Sequence, residues 1–385
     1  MFKSVTILGS TGSIGTSTLS LIEQNQDYYS IVALTANKNV ELLIKQALQF
    51  RPQIAVIGDE SLYKVLKDAL KDSGVEVACG KNSILDAASM PADWIMAGIV
   101  GVAGLIPTLE AIKQGTVVAL ANKECLVSAG ELLMSEVKRS GTILLPVDSE
   151  HNAVFQVFDF ENVKSIKKII LTASGGPFRT MSKVEMKEVT PEQAINHPNW
   201  DMGAKISVDS ATMMNKGLEL IEAYYLFPIE ENQIDIIVHP QSIVHSMVEY
   251  KDGSVLAQMG CPDMRTPIGF CLGWPHRITA PVESLNLAKV GRLDFEVPDI
   301  DKFPCLTLAR EALKTGGTAP TILNAANEVA VEGFLNKEIG FLNIAEVVEN
   351  AIQKIPVGKI SCLDQISNVD EEARVIATES LKHIN

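Results

Sequence analysis

Two carboxylates, Asp148 and Glu150, stand almost side by side in the run Val147-Asp148-Ser149-Glu150-His151-Asn152. The stretch 141–147 before them is apolar and opened by a glycine, so it reads as a buried strand. Continued extension past Val147 would place Asp148 and Glu150 on one face and Ser149 on the other. Neighbouring carboxylates repel, and their coexistence needs a cause. A divalent cation taking hard oxygen ligands is one, a proton shared between two acids a second, and a solvated strand end a third.

A third carboxylate stands further along. Residues 205–210 lead into an expected helix over 211–223, on which Thr212, Asn215, Lys216 and Glu219 share one stripe. Met213, Met214, Leu218, Leu220 and Ile221 cover most of the remaining surface, and a helix apolar nearly all round is buried. The polar stripe must then face a site or an internal salt bridge. Asn215 and Lys216 offer donors to an anion, and Ser210 sits at the expected positive start of the helix.

Other chemistry-bearing residues lie between these two regions. Ala173-Ser174-Gly175-Gly176-Pro177 offers a hydroxyl and exposed N–H groups, either a phosphate corner or a plain turn. Thr190-Pro191-Glu192-Gln193 is a helix start with a capping-box pattern. His197-Pro198-Asn199-Trp200-Asp201-Met202-Gly203 breaks regular structure while carrying large apolar side chains. That composition suits a lid, over about residues 181–205, that closes on substrate and expels water; Trp200 as a core anchor is the competing reading. Residues 234–238, 243–250 and 255–259 read as antiparallel strands with an Asp-Gly turn, His239 capping a strand and His245 belonging to core or site.

The elements that position these groups begin with seven apolar runs: 5–8, 31–34, 54–57, 75–78, 94–97, 117–120 and 142–147. Helical patterns at 40–48, 62–70 and 105–112 alternate with them, which implies an α/β domain built on a doubly wound, Rossmann-like parallel sheet. The first run feeds Gly9-Ser10-Thr11-Gly12-Ser13-Ile14-Gly15 and then a helix over 16–23. A tight turn, close backbone approach and a helix N-terminus suit a dinucleotide pyrophosphate. Where an NAD enzyme carries an acid for the ribose, this chain has Ala36-Asn37-Lys38-Asn39, so NADP is favoured over NAD. Asn122, Lys123 and Glu124 end another strand, where open α/β sheets bind ligands; Cys125 beside them reads as a packed thiol.

The 385 residues imply two or three domains: 1–147, 148–285, a linker at 286–299 and a helical bundle at 300–385. The net charge of -14 and pI near 5.0 argue against a nucleic-acid binder. Six scattered cysteines without a Cys-x-x-Cys pair fit reduced thiols. The longest apolar run, 94–106, is too short to span a bilayer, and a strand starting almost at the first residue leaves no room for a targeting peptide. The expectation is a soluble cytoplasmic protein.

Taken together, the glycine motif, Ala121-Asn122-Lys123-Glu124, Pro146 to His151, Ser174 to Phe178, His197 to Met202 and Ser207 to Glu219 resemble the 1-deoxy-D-xylulose 5-phosphate reductoisomerase family, in that family's order. The resemblance implies Mg2+ or Mn2+ on Asp148, Glu150 and Glu219, with His151 and His197 also in the catalytic set. It implies substrate phosphate on Ser174, Ser210, Asn215 and Lys216, with His197 and Trp200 on the flap and Lys123 and Ser149 on the hydroxyls. NADPH would meet Thr11, Gly12, Ser13, Ile14, Ala36, Asn37, Lys38, Asn39, Asn122, Glu124 and Gly203; Asn37 departs from the glycine expected there. The implied reaction is rearrangement and reduction of the pentulose phosphate to 2-C-methyl-D-erythritol 4-phosphate, in a bacterial homodimer formed mainly by the central sheet. A dehydrogenase of a small phosphorylated carbonyl compound without rearrangement, or a non-catalytic NADP sensor, is the alternative. Neither needs all three carboxylates together with a lid.

Overall fold

The structure is a computed structural model and describes residues 2–200 and 202–384. The chain divides into two compact units, Met1–Cys125 with Leu133–Asn152 and Asp263–Glu283, and Leu126–Leu132 with Ala153–Pro262 and Ser284–Asn385.

The first unit is built on a seven-stranded sheet: β1 (Lys3–Leu8), β2 (Tyr29–Ala36), β3 (Ile54–Ile57), β4 (Glu76–Cys79), β5 (Trp94–Ala97), β6 (Val117–Leu120) and β7 (Ile143–Pro146). All neighbours run parallel in the order β4-β3-β2-β1-β5-β6-β7. The chain winds outward from β1 to β4, then crosses to β5 on the other side. The switch point therefore falls between β1 and β5, at the mouth of the glycine loop, where such sheets bind ligands. Val5, Ile7, Val56, Ile57, Trp94, Ile95 and Met96 are fully buried, which explains why these strands are apolar without alternation. Helix Arg265–Gly273 returns to this unit late in the chain. Its C-terminal turn is fastened by Trp94 Nε1 to the Cys271 carbonyl (2.9 Å) and by Lys3 Nζ to the Leu272 and Trp274 carbonyls (3.0 and 2.8 Å).

The second unit holds a four-stranded sheet of β8 (Ile166–Ala173), β9 (Ile234–Val238), β10 (Val244–Tyr250) and β11 (Val255–Met259). Its order is β11-β10-β8-β9. The expected hairpin exists between β10 and β11, closed by Tyr250 N–H to the Ser254 carbonyl (2.8 Å). The reading of the whole stretch as one antiparallel run needs correction: β9 pairs parallel with β8, which separates it from β10. One apolar core runs through this unit. Ile169, Leu171 and Val248 of the sheet, Leu218 and Ile221, and Ala309, Ile322, Phe334 and Val348 of the C-terminal helices all belong to it. Those helices are Pro304–Thr315, Ala319–Leu335, Asn343–Lys354 and Leu363–Ile384.

Two local expectations fail, each for a visible reason. The chain does not stay extended after β7, because a helix, Ser149–Val157, begins there. Asp148 caps it: its carbonyl accepts from Asn152 N–H (2.8 Å), and its carboxylate accepts from Glu150 N–H (3.3 Å). The apolar residues Val154, Phe155 and Val157 thus form the second half of a helix that ends at Val157. Nor is 211–223 one helix. Helix Ala204–Ala211 stops, Met213 turns left-handed (φ +61°), and a second helix runs over Met214–Leu226. The Thr212 hydroxyl accepts from Met214 N–H (3.3 Å) and stabilises the new start.

Candidate active site

In the first unit the glycine loop shows three different uses of glycine. Gly9 lies at φ +82°, and a Cβ there would sit 2.8 Å from the Gly98 carbonyl oxygen. A Cβ on Gly15 would fall 2.4 Å from the Gly9 oxygen. Gly12 meets only ordinary contact, at 3.5 Å, so its face is left open for something else. It is the N-cap of helix Ser13–Glu23 and has no side-chain cap, so the helix's first N–H groups face outward among exposed Gly12 and Ser13 and half-buried Thr11 and Ile14. Thr35 holds the loop in place: its Oγ1 accepts from Gly9 N–H (2.9 Å) and its carbonyl from Ser10 N–H (2.8 Å).

Beyond the buried Ala36, residues Asn37, Lys38 and Asn39 are exposed. Asn39 caps helix Val40–Phe50. The turn leans on the end of β3, where Asp59 N–H donates to the Asn37 carbonyl (2.9 Å). A cleft of about 500 Å3, lined by Gly58, Asp59, Glu60, Cys79, Gly80 and Lys81 among others, opens beside it. Nothing in the sequence pattern marked that cleft.

The ends of β6 and β7, paired through Leu120 and Pro146, deliver the next group. Lys123, the first residue of helix Lys123–Ser140, puts its Nζ 2.6 Å from Asp148 Oδ2, with both side chains nearly buried. His151 Nδ1 lies 3.3 Å from the other Asp148 oxygen, and Ser149 Oγ donates to Glu150 Oε2 (2.7 Å). The start of the helix is locked by Asn152, whose Nδ2 donates to the Pro146 carbonyl (2.9 Å), and by Cys271, whose Sγ reaches that oxygen at 3.2 Å. Burial pushes the Cys271 thiol far up, so it is an inert packing group. Asn122 is buried; its Nδ2 donates to the Ile99 and Gly101 carbonyls (2.6 and 2.8 Å), and its Oδ1 has no protein partner among the described residues. Glu124 is half-buried beside it. Cys125 is fully buried next to Thr108 (3.8 Å), as a packed thiol should be.

In the second unit, Ser174 follows β8. Its hydroxyl accepts from Gly176 N–H (3.2 Å) and lies 2.9 Å from His197 Nε2. Gly176 has φ +67°, and a Cβ on it would come 2.8 Å from the Ser210 carbonyl oxygen, so this turn sits directly on the end of helix Ala204–Ala211. Ser210 is therefore in the last turn of one helix, just before the next begins, and not at a helix start as expected. That helix is moored through Asp209, which meets Lys205 Nζ (3.0 Å) and Asn327 Nδ2 (2.7 Å). On helix Met214–Leu226, Asn215 Nδ2 donates to Glu219 Oε1 (2.5 Å), and Lys216 donates to Glu219 Oε2 in a buried ion pair. The internal salt bridge considered for this stripe is thus present.

The His197 to Gly203 loop follows two short helices, Lys183–Met186 and Pro191–Ile195, both with capping boxes. Met186 and Ala194 are fully buried, so the irregular part begins only after Ile195. His197 is buried and Trp200 half-buried, and the Trp200 ring stands 6.2 Å from that of His245. Asp201 lies outside the described residues, and Gly203 caps helix Ala204–Ala211 from an exposed position. Burial lowers the pKa of His197, and burial above all, with Lys216 and His239 adding, pushes His245 down to about 4. His239 is fully buried with Nδ1 2.8 Å from the Asp294 carbonyl and its ring stacked on Phe295, a structural setting more elaborate than a strand cap.

Comparison with known proteins bears on the whole arrangement. Residues 5–130 match the 1-deoxy-D-xylulose 5-phosphate reductoisomerase family model; 144–227 match the C-terminal domain model of the same name, and 259–376 a DXP reductoisomerase C-terminal domain. A 1-deoxy-D-xylulose 5-phosphate reductoisomerase of Rhodospirillum centenum is 58% identical over 377 residues, covering 98% of this chain and 94% of its own. The solved structure of the Zymomonas mobilis reductoisomerase in complex with NADPH is 55% identical, with a TM-score of 0.95 over 99% of both chains. A DOX-P reductoisomerase structure in complex with NADPH, fosmidomycin and magnesium is 43% identical, with a TM-score of 0.95 over 99% of this chain and 98% of that one. With motifs and fold matched over nearly its full length, this chain belongs to the 1-deoxy-D-xylulose 5-phosphate reductoisomerase family.

Proposed function

We propose that the chain converts 1-deoxy-D-xylulose 5-phosphate to 2-C-methyl-D-erythritol 4-phosphate with NADPH and a divalent metal. Family membership at 58% identity over nearly the whole chain carries this reading. Reduction without rearrangement would leave the three carboxylates unexplained.

The residues present fit both groups. The open face of Gly12, the uncapped helix start behind it, exposed Lys38 and the unpartnered Asn122 Oδ1 offer what a phosphate-bearing dinucleotide requires. We assign NADPH to Thr11, Gly12, Ser13, Ile14, Ala36, Asn37, Lys38, Asn39, Asn122, Glu124 and Gly203. Asp148, Glu150 and Glu219 are hard oxygen donors suited to Mg2+ or Mn2+, and we assign the metal to them. When bound, the metal supplies a Lewis acid and template for the substrate's neighbouring oxygens, and NADPH supplies hydride.

The chain's own groups do the rest. Lys123 and Ser149 hold substrate hydroxyls beside the carboxylates. Ser174, Ser210, Asn215 and Lys216 hold the phosphate, which would draw Lys216 away from Glu219. His197, kept neutral by burial, donates from Nε2, and Trp200 covers the pocket against water. His151 supports Asp148. On this division 1–147 serves the cofactor, 148–285 the metal, substrate and lid, and 300–385 the buttress beyond a linker at 286–299.

We further read the protein as a cytoplasmic homodimer. Val255 and Leu256 on edge strand β11 are half-exposed (48% and 49%), the kind of surface a second copy covers. Among the described residues no helix is long and apolar enough to cross a membrane.

The test is NADPH oxidation with 1-deoxy-D-xylulose 5-phosphate, with and without Mg2+ or Mn2+, in wild type and Glu219→Gln. Metal-dependent turnover that collapses in the variant while NADPH binding persists supports the assignment. Tight NADPH binding with no turnover under any metal overturns it.

A further inference from the structure

The turn that carries His197 is tied down by a residue the assignments above leave idle. Asn199 donates through Nδ2 to the Pro240 carbonyl (2.7 Å) and to Ser242 Oγ (3.0 Å). Its backbone N–H donates to His197 Nδ1 at 3.2 Å, and the N–H of Trp200 donates to the same nitrogen at 3.1 Å. A ring nitrogen receiving two N–H groups is the acceptor of a neutral imidazole, so the proton sits on Nε2 and points at Ser174 Oγ, 2.9 Å away. Ser242 is nearly buried and held at φ +52°, a conformation a non-glycine residue keeps only where its surroundings demand it. One side chain therefore joins two turns, 197–200 and 239–242, that are distant in sequence.

We propose that Asn199 is a positioning residue: by clamping the 197–200 turn to the 239–242 turn, it fixes the tautomer and aim of His197 toward Ser174. The functional consequence rests on the reading above that Ser174 and His197 meet the substrate's phosphate end. An amide is required at this position. The Pro240 carbonyl can only accept, so a carboxylate of the same shape cannot replace the bond. Without the clamp, His197 Nδ1 loses its ordered donors and both ring nitrogens compete for the proton.

The experiment is 15N NMR of histidine-labelled protein without ligands, for wild type, Asn199→Ala, Asn199→Asp and Ser242→Ala, with His197→Gln to assign the signal. Wild type should show one neutral tautomer, protonated at Nε2. Asn199→Ala and Asn199→Asp should show mixed tautomers and a titration moved up toward that of an ordinary histidine. Ser242→Ala, which keeps the Pro240 bond, should fall between them. In parallel, KM for 1-deoxy-D-xylulose 5-phosphate should rise about tenfold in Asn199→Ala, the cost of a hydrogen bond or two, with NADPH affinity unchanged. An unchanged tautomer in all three variants, each melting as wild type does, overturns the clamp. A shifted tautomer with unchanged KM leaves the clamp standing and overturns the placement of the phosphate end at Ser174 and His197.

Discussion

Lys123 and Asp148 follow different strands of one sheet, and their charged atoms lie 2.6 Å apart at the ends of β6 and β7. Both side chains are close to buried, so the pair cannot be treated as a surface contact. A buried charge left alone is costly, on the order of 3 kcal/mol, whereas the intact pair is close to neutral. Lys123→Ala should therefore lower apo stability by that order, and Mg2+ should restore part of it by compensating Asp148. Thermal melting with and without Mg2+ reads this directly; a loss that Mg2+ leaves untouched would place the metal elsewhere. Turnover should fall at least about a hundredfold, as for loss of a group acting on the reacting atoms.

The glycine loop separates folding from binding. An alanine at position 15 would put its Cβ 2.4 Å from the Gly9 oxygen, against backbone that cannot yield, so Gly15→Ala should destabilise by about 1–3 kcal/mol. Gly12→Ala meets only van der Waals contact at a φ of -78°, which alanine adopts freely, and should fold as wild type does. Its methyl group would instead stand where the pyrophosphate approaches. NADPH titration should show a loss of tenfold or more for Gly12→Ala with an unchanged melting temperature. Equal melting losses in both variants would mean the loop is purely structural.

These two cases mark what the chain's pattern could and could not convey. Parallel strands buried on both faces leave an unmistakable apolar signature, and β3, β5 and β6 fall where that signature put them. The capping box at Thr190 and Gln193 is equally local, and both of its bonds form. The left-handed turn at Met213 left no such mark, because methionine at φ +61° violates local preference and persists through surrounding packing. Asp148 was read as the next residue of a strand when it is a helix cap; acidic residues suit both readings, and only the Asn152-Cys271 grip on Pro146 decides between them. That grip joins positions 119 residues apart and is invisible to any local window.

The break at Met213 yields its own test. Thr212 Oγ1 accepts the first free N–H of helix Met214–Leu226, so Thr212→Val should cost about 1 kcal/mol, as for loss of an N-cap. Met213→Gly relieves the positive φ but empties a buried core position, so it should still cost about 2–4 kcal/mol net. Both changes leave Asn215, Lys216 and Glu219 in the chain, and turnover at saturating substrate should stay within a few-fold of wild type. Chemical denaturation of Thr212→Val distinguishes this account from one unbroken helix, in which valine for threonine at an interior position would cost almost nothing.

His245 gives a pH dependence whose sign is fixed. Its pKa in the folded chain is pushed down to about 4 from 6.5, chiefly by burial, against hydrogen bonding to the Gly260 backbone, which opposes the shift. The unfolded chain therefore binds the proton first as pH falls. The stability contributed by keeping His245 neutral is complete above about pH 6.5 and drains away toward pH 4, by about 3 kcal/mol at the most. Carboxylates paired in the fold also lose stability in acid, so wild type must be read against His245→Phe. At pH 7.5 the variant should be the less stable, having lost the contacts of His245 with Trp200 and the Gly260 turn. Between pH 6.5 and 4.5 the gap should narrow or reverse, because only wild type carries the histidine's proton penalty. A gap that stays constant over that range would mean His245 titrates normally, open to water beneath Trp200.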